Sequence, residues 1–359
     1  MSRNFHAQNF DESTKAKLEI FQLYARTWLP TFLAPLKPTW KEVHVYDFFC
    51  GPGSDPTGVD GSPVRIVQEL LDCRGAWVAN GIKVHLHFYD ASAKKTQALQ
   101  QKLAPMLVST KNVVLDVQAL PFGQAFPMSL PTLKSKDAAK LILLDPCGVN
   151  FVDEDIFRQI TAAPVADFLL FMASSYLHRF REVDSIKVKI KHPDNPNHVH
   201  RVVLETFKEW VPAGKKYYLA PYSLKKGKNI YGIIFGSGKM IGMDKFLTLA
   251  WKKAPISGEA NYDIDGDNHL TANPELSLFK VSKTKVEIFE ARLREAILAG
   301  KCPTEQDVIE FCFDQGMLRQ HAAPVLKALK DENRIQYTYK VPKIERFEMI
   351  TLLRQIAAG

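Results

Sequence analysis

Between residues 42 and 174 the chain alternates apolar, β-prone runs with segments of helical periodicity, and this limits the folds open to it. The runs are EVHVYDFF (42–49), KVHLHFYD (83–90), NVVLDV (112–117), AKLILLDPCG (139–148) and DFLLFMAS (167–174). The fourth is apolar almost throughout, as a parallel strand covered on both faces must be. Helical patterns fall between them at 63–73, in SAKKTQALQQKLAPML and at 152–162. Strands and helices in alternation predict a doubly wound, mostly parallel α/β sheet. A helix over 12–36 precedes it, with Leu18, Phe21, Leu23 and Trp28 at helical spacing and Pro30 and Pro35 breaking the pattern.

The pattern changes after the fifth run. Residues 176–205 are polar and mixed in charge, with KVKIKHPDNPNHVHR at their centre. Its alternating lysines suit an edge strand protected from aggregation or a ribbon that contacts phosphates. A helix over 201–210 follows, then two strand-like runs around SLKKGKN within 215–238, which read as an antiparallel hairpin. A parallel sheet finished by a hairpin is the architecture of class I methyltransferases, and most plain dinucleotide dehydrogenases lack the hairpin. The predicted organisation is a Rossmann-type methyltransferase-like domain over 1–252 with its insert at about 176–205, then a turn-rich linker at 253–279. A winged helix-turn-helix over 280–345 and a tail at 346–359 complete the chain. The winged helix is inferred from three short amphipathic segments, KTKVEIFEARLREAILAG, TEQDVIEFCFDQG and the one in LRQHAAPVLKALKDENRIQYTYKV, which runs into a strand.

Candidate chemistry gathers at the carboxyl ends of the predicted strands, where open α/β sheets bind ligands. In DFFCGPG, Asp47 stands in the first strand and Cys50, Gly51, Gly53 and Ser54 form the turn, with Ser62-Pro63 expected as helix N-cap and first helical residue. Small residues in such a turn let backbone approach a ligand; the alternative is a tight turn with no ligand. Asp90 at the second strand end suits a ribose diol, Asp116 near the third the adenine amino group, and Asp145-Pro146 at the fourth an acceptor. Acidic ends on three successive strands suit S-adenosylmethionine, although each alone is more often a solvated turn residue. Asp55 and Asp60 in the long loop would repel a pyrophosphate, which favours the cationic sulfonium over a dinucleotide.

DPCG begins like the acceptor motif of amino-methylating enzymes but lacks their second proline and aromatic residue. Cys147 follows a proline as a cytosine-C5 nucleophile does, yet ENV is missing, so a packed thiol is the plainer reading. Tyr176, His178 and Arg179 sit after the fifth strand as substrate contacts or as a polar helix start. DIDGD (263–267) has its glycine misplaced for a calcium loop. No metal site is expected, except that a nuclease would need Asp47, Asp55, Asp60 and Asp145 to cluster.

A net charge of +8 and pI near 9.0 favour a polyanionic partner. Arg319, Gln320, Lys327 and Lys330 lie around the predicted recognition helix, His321 among them, with Arg334 and Lys340 toward the wing. Such side chains suit groove and phosphate contacts, while many winged helices serve only protein interactions. The five cysteines show no CxxC spacing, and neither a signal core nor a membrane-length apolar run is seen, so a reduced cytoplasm is the expected setting.

DFFCGPG, the GSP at Gly61, Ser62 and Pro63, LLDPCG with Asp145 and Gly148, and the winged-helix-like tail together resemble the three-Cys-motif partner proteins. The resemblance runs from the N-terminal helix to about residue 340. It implies a methyltransferase-like fold, a radical-SAM-like partner protein carrying a three-cysteine cluster, phage or mobile-element association, and nucleic-acid processing. It brings no settled reaction. The functions open to the sequence are a methyltransferase that uses S-adenosylmethionine on nucleic acid, a non-catalytic adaptor of the same fold, and a metal-dependent nuclease.

Overall fold

The structure, a computed structural model, describes residues 9–35, 39–78, 80–146, 152–173, 199–226, 229–265, 283–337, 341–344 and 350–352. Cys147, Gly148, Tyr176, His178, Arg179, Lys340 and the KVKIK run lie outside these residues. The chain divides into two compact units, Met1–Lys245 and Phe246–Gly359.

The first unit holds one seven-stranded sheet in the order β3-β2-β1-β4-β5-β7-β6. Its strands are β1 (Glu42–Asp47), β2 (Lys83–Asp90), β3 (Val113–Ala119), β4 (Ala138–Leu144), β5 (Ala166–Ala173), β6 (Tyr218–Lys226) and β7 (Asn229–Ser237). The first five pair in parallel, while β7 runs antiparallel between β5 and β6. This is the doubly wound sheet with a terminal hairpin that the apolar runs predict. The order reverses between β1 and β4, so the crevice beyond β1 is the topological switch point.

Side-chain parity gives the sheet two different faces. Tyr46, Phe48, Tyr89, Ile142, Phe168 and Ile234 point to one, where they pack with α5 (Phe122–Leu133), α6 (Glu154–Ala162) and α7 (Val199–Trp210). The other face carries Asp47, Asp145 and Asp167, and polar contacts tie them to α1 (Glu12–Leu33) and to the start of α2 (Ser62–Asp72). Helix α1 starts at Asp11, whose carboxylate accepts the Thr14 N–H at 2.8 Å. It buries Leu18, Phe21, Tyr24 and Trp28, and the Tyr24 hydroxyl donates to Asp167 Oδ2 at 2.6 Å. A short α3 (Arg74–Trp77) completes the first βαβ crossover, and α4 (Ala93–Leu107) forms the second, between β2 and β3.

Besides the short α3, two longer helices among the described residues carry no sequence-based expectation. Helix α5 contains Pro127 and Pro131, which remove backbone donors and normally end a helix, yet packing of Phe122, Ala125, Phe126 and Leu133 holds it. The other is α8 (Met240–Lys253), within which the two units divide.

In the second unit, α9 (Lys285–Leu298) and α10 (Glu305–Asp314) each open with a reciprocal capping box, Thr284 with Glu287 and Thr304 with Asp307. A 3-10 turn at Arg319–His321 leads into α11 (Ala322–Asp331). Strands β8 (Ile335–Gln336) and β9 (Thr351–Leu352) then pair antiparallel. Residues 254–260, inside the expected linker, join this packing: Lys285 Nζ donates to Ser257 O at 2.8 Å and to Glu259 at 2.9 Å. Among the described residues no helix is long and apolar enough to cross a membrane.

Candidate functional site

The loop after β1 turns on two glycines. Gly51 (φ +62°) and Gly53 (φ +90°) adopt left-handed backbone that a side chain disfavours. At Gly53 a Cβ would also meet Leu99 Cδ1 of α4 at 2.8 Å and Val64 Cγ2 of α2 at 3.4 Å. The glycine therefore lets the loop run close between two helices. Its carbonyl accepts the Gly61 N–H at 2.8 Å, and Ser54 bridges to Asp60, which closes the loop on itself.

Asp47 is the buried anchor of the loop. Its carboxylate accepts the Ser62 hydroxyl at 2.6 Å and the Phe49 N–H at 3.0 Å. Ser62 is thus the first residue of α2 and not its side-chain cap; Gly61 takes the cap position and the hydroxyl serves Asp47. Burial pushes the Asp47 carboxyl up to about 6, with Asp145 adding to the rise and the Ser62 and Phe49 hydrogen bonds opposing it. Its folded pKa lies above the unfolded one, so its contribution to stability is fully present below about pH 4 and lost as pH rises through about 6. The stability difference between the wild type and Asp47→Asn should therefore move in favour of the wild type as pH falls from 7 to about 5. Urea unfolding at several pH values measures it, and a pH-independent difference would refute the raised pKa.

Asp145 lies on the same face just beyond β4, half-buried, and its Oδ2 accepts the Lys17 ammonium of α1. Lys17 is 7% exposed and lies 4.6 Å from the Phe171 ring centroid. Pro146 beside it is buried. Sequence reading missed Lys17. The signal was its place on the apolar stripe of α1, in line with Phe21, Tyr24 and Trp28.

Asp90 ends β2 on this face as well. It accepts the Ser92 N–H at 2.9 Å, and Lys95 Nζ lies 3.5 Å from its other oxygen. The Cys50 thiol, between Asp47 and Asp90, is buried and raised by that burial and by both carboxylates, which keeps it protonated and inert. The structure therefore brings together Asp47, Cys50, Gly51, Gly53, Asp90, Asp145 and Pro146, with Ser54 at the loop edge.

Asp116 does not join them. It pairs with His87 in the β2–β3 register, three residues before the end of β3, and so projects from the opposite face. Its partners there are Tyr89, His87 and Gln118, at 2.8, 3.2 and 2.7 Å. Ala119 is the residue level with Asp90. This register turns Asp116 away from the face of Asp47, Asp90 and Asp145, where the adenine contact is expected.

The loop carboxylates also differ from expectation. Asp55 accepts N–H groups from Phe10, Thr57 and Val59, and these bonds outweigh its burial and hold it down at about 2. Asp60 accepts from Lys102 at 2.6 Å and Gln68 at 2.9 Å. Both brace the loop; Lys102 balances the charge of Asp60, while Asp55 stays ionised among neutral donors. Asp47, Asp55, Asp60 and Asp145 do not gather into a group able to hold a metal, among the described residues.

In the second unit Gln320, Lys327 and Lys330 are exposed, and Arg334 is half-buried. Arg319 is committed to the Pro342 carbonyl at 2.9 Å. His321 packs edge-on against Trp251, ring centroids 4.4 Å apart, and accepts the Leu318 N–H, so it faces inward.

No protein-family model matches the chain, and no curated protein is similar to it in sequence. Solved structures are similar at the level of fold. One is magnesium protoporphyrin IX methyltransferase from Synechocystis PCC 6803 with bound SAH, at TM-score 0.33 and 12% identity over 66% of this chain and 88% of that one. Another is a SAM-dependent methyltransferase from Agrobacterium tumefaciens, at TM-score 0.35 and 9% identity over 64% and 62%. A third is spermidine synthase from Thermotoga maritima, at 0.33 and 11% over 72% and 74%. The description of the fold rests on the strand order and directions.

Proposed function

We propose that the first unit binds S-adenosylmethionine at the carboxyl ends of β1, β2 and β4, as a methyltransferase-like protein working on nucleic acid. The carrying observation is the charge of that face. At the carboxyl ends of the strands Asp47, Asp90 and Asp145 stand against the ammonium groups of Lys17 and Lys95, three carboxylates to two ammonium groups. A site of that balance beside a glycine turn favours a cationic sulfonium over a phosphate. Gly51 to Ser54 would line the methionine portion, and Asp90 would accept from the ribose hydroxyls. The cofactor would supply an electrophilic methyl group. The chain's own part is to position that group and exclude water.

Calorimetry with S-adenosylmethionine and with its demethylated product tests the reading on the full chain. Saturable heat with either, weakened in Asp90→Asn, supports it; no heat with both on protein freed of ligand refutes it.

The Lys17–Asp145 pair favours a second reading, a non-catalytic adaptor. The carboxylate expected to receive an acceptor amine already holds the chain's own amine. Asp145→Ala separates the two: an enzyme loses methyl transfer while keeping DNA affinity, whereas an adaptor changes in neither respect. The nuclease reading loses its metal cluster, as described above.

For the second unit the proposal is a winged helix-turn-helix. Helices α9 to α11 with the β8–β9 pair support it, as does the Ile350 N–H that donates to Pro303 O at 2.8 Å, linking the wing strand to the start of α10. Lys327 and Lys330 would contact phosphates. Replacing either with Ala should weaken DNA binding for all sequences and reduce the salt slope by about 1. Fluorescence anisotropy over a salt series measures it, and unchanged slopes in both variants would assign the unit to protein contacts. A radical-SAM-like partner and a place in a phage or mobile-element locus follow from the resemblance alone, and co-purification with such a partner tests them.

A further inference from the structure

The opposite face of the sheet carries a cluster that the proposed site does not use. His44 on β1 and His85 and His87 on β2 each offer a ring nitrogen within 4.8 Å of the others. The rings stack nearly parallel: His44 and His85 have centroids 4.4 Å apart at 8°, and His44 and His87 5.3 Å apart at 4°. Their spacing follows from the register, which pairs His44 with His85 and Tyr46 with His87 on adjacent parallel strands. From these residues we infer a zinc site of three histidines at the middle of β1 and β2.

The spacing of the nitrogens is close to that of zinc ligands, and rotation of the nearly parallel rings would bring them to bear on one ion. His44 Nδ1 and His87 Nε2 are 3.0 Å apart. Two nitrogens on one tetrahedral zinc at ~2.0–2.1 Å stand about 3.3 Å from each other; the two rings meet head-on and nearly coplanar, so both must also rotate to turn their lone pairs toward a common ion. His87 is already oriented as a ligand. Its Nδ1 lies 3.2 Å from Asp116 Oδ2, and an ionised carboxylate only accepts, so the proton sits on Nδ1 and the Nε2 lone pair faces His44. Asp116 is fixed in turn by Tyr89 and Gln118. A carboxylate behind a ligating histidine is the arrangement that sets ring orientation and raises ligand basicity at zinc centres.

Proton accounting is also favourable. Without metal, the proton in the His44–His87 contact must sit on His44 Nδ1. When zinc takes both nitrogens, that proton moves to His44 Nε2, which has no hydrogen-bond partner and lies 3.6 Å from the Glu42 carboxylate. Both rings stay neutral. His85 supplies the third nitrogen; its Nε2 is likewise buried without a hydrogen bond and lies 3.6 Å from Glu42. Glu42 brings negative charge to the rim, at 47% exposure. The opposing feature is Lys140, level with His44 on β4, whose ammonium is held by the Ser135 carbonyl at 2.5 Å.

The test is calorimetry and elemental analysis of the full chain, stripped with chelator and titrated with zinc chloride. The expected result is one zinc per chain, a raised Tm with zinc, and no saturable binding in His85→Gln. Asp116→Asn should weaken binding about 10- to 100-fold, the usual cost of losing a carboxylate behind a zinc-bound histidine. Circular dichroism checks that each variant folds. A folded wild type that takes up no zinc overturns the inference, as does His85→Gln binding as tightly as the wild type. Should His85→Gln not fold, unchanged zinc affinity in both Glu42→Gln and Asp116→Asn overturns it instead.

Discussion

Replacing Lys17 with Met should destabilise the protein by about 2–4 kcal/mol, because breaking one side of a buried ion pair leaves the other charge uncompensated. Methionine keeps the length and most of the volume of the lysine stem, but removes the Nζ that stands 4.6 Å over the Phe171 ring. What is lost is the ammonium group on Asp145. Asp145 and the buried Asp47 would then face each other with no cation from α1. The full range for a dry pair reaches about 5 kcal/mol, and the 24% exposure of Asp145 lowers the expectation. Asp145→Asn alone should also destabilise, since it strands Lys17. The double variant should recover much of the loss, giving a coupling energy well above the ~0.3–0.5 kcal/mol scatter of independent sites. Urea denaturation of the four proteins reads the cycle. Lys17→Met within 0.5 kcal/mol of the wild type would show the pair to be a weak surface contact.

Gly53→Ala has the second large effect. The φ of +90° costs a residue with a Cβ about 1–2 kcal/mol. The new methyl also sits 2.8 Å from Leu99 Cδ1, and overpacking of this kind adds about 1–3 kcal/mol. Leu99 is fully buried and has little room to retreat. We expect about 2–5 kcal/mol in all, with loss of S-adenosylmethionine heat because the loop must move off α2 and α4. Gly58→Ala provides the control. Its φ is +88° but its Cβ would meet nothing within 4 Å, so only the backbone cost of about 1–2 kcal/mol remains. Equal losses at the two positions would mean that close approach at Gly53 contributes nothing.

Much of the sheet was legible because apolar runs of strand length leave few alternatives. The bounds predicted for β2 match the structure, and the hairpin of β6 and β7 follows from two runs around a polar turn. Asp47, Asp90 and Asp145 were found by the same logic, as carboxylates at strand ends. Asp116 shows where that logic stops. Its face depends on the pairing register with β2, and a shift of one residue reverses every side chain. Nothing local in NVVLDV encodes the register. Lys17 was hidden for a different reason: a periodic reading scores lysine as solvent-facing, although its position on the stripe with Phe21 and Tyr24 places it inward. Helix α5 was hidden by its two prolines, whose local preference was overridden by packing on the sheet.

The ties of α1 also set a schedule for the protein's birth. Lys17 and Tyr24 are made early, while their partners Asp145 and Asp167 follow 128 and 143 residues later. At a ribosomal rate of ~5–20 residues per second, Tyr24 waits about 7–30 s for its acceptor. During that interval the Tyr24 hydroxyl lacks its Asp167 acceptor. Helix α1 is thus made well before the residues that anchor its polar side chains, and those ties close late in synthesis.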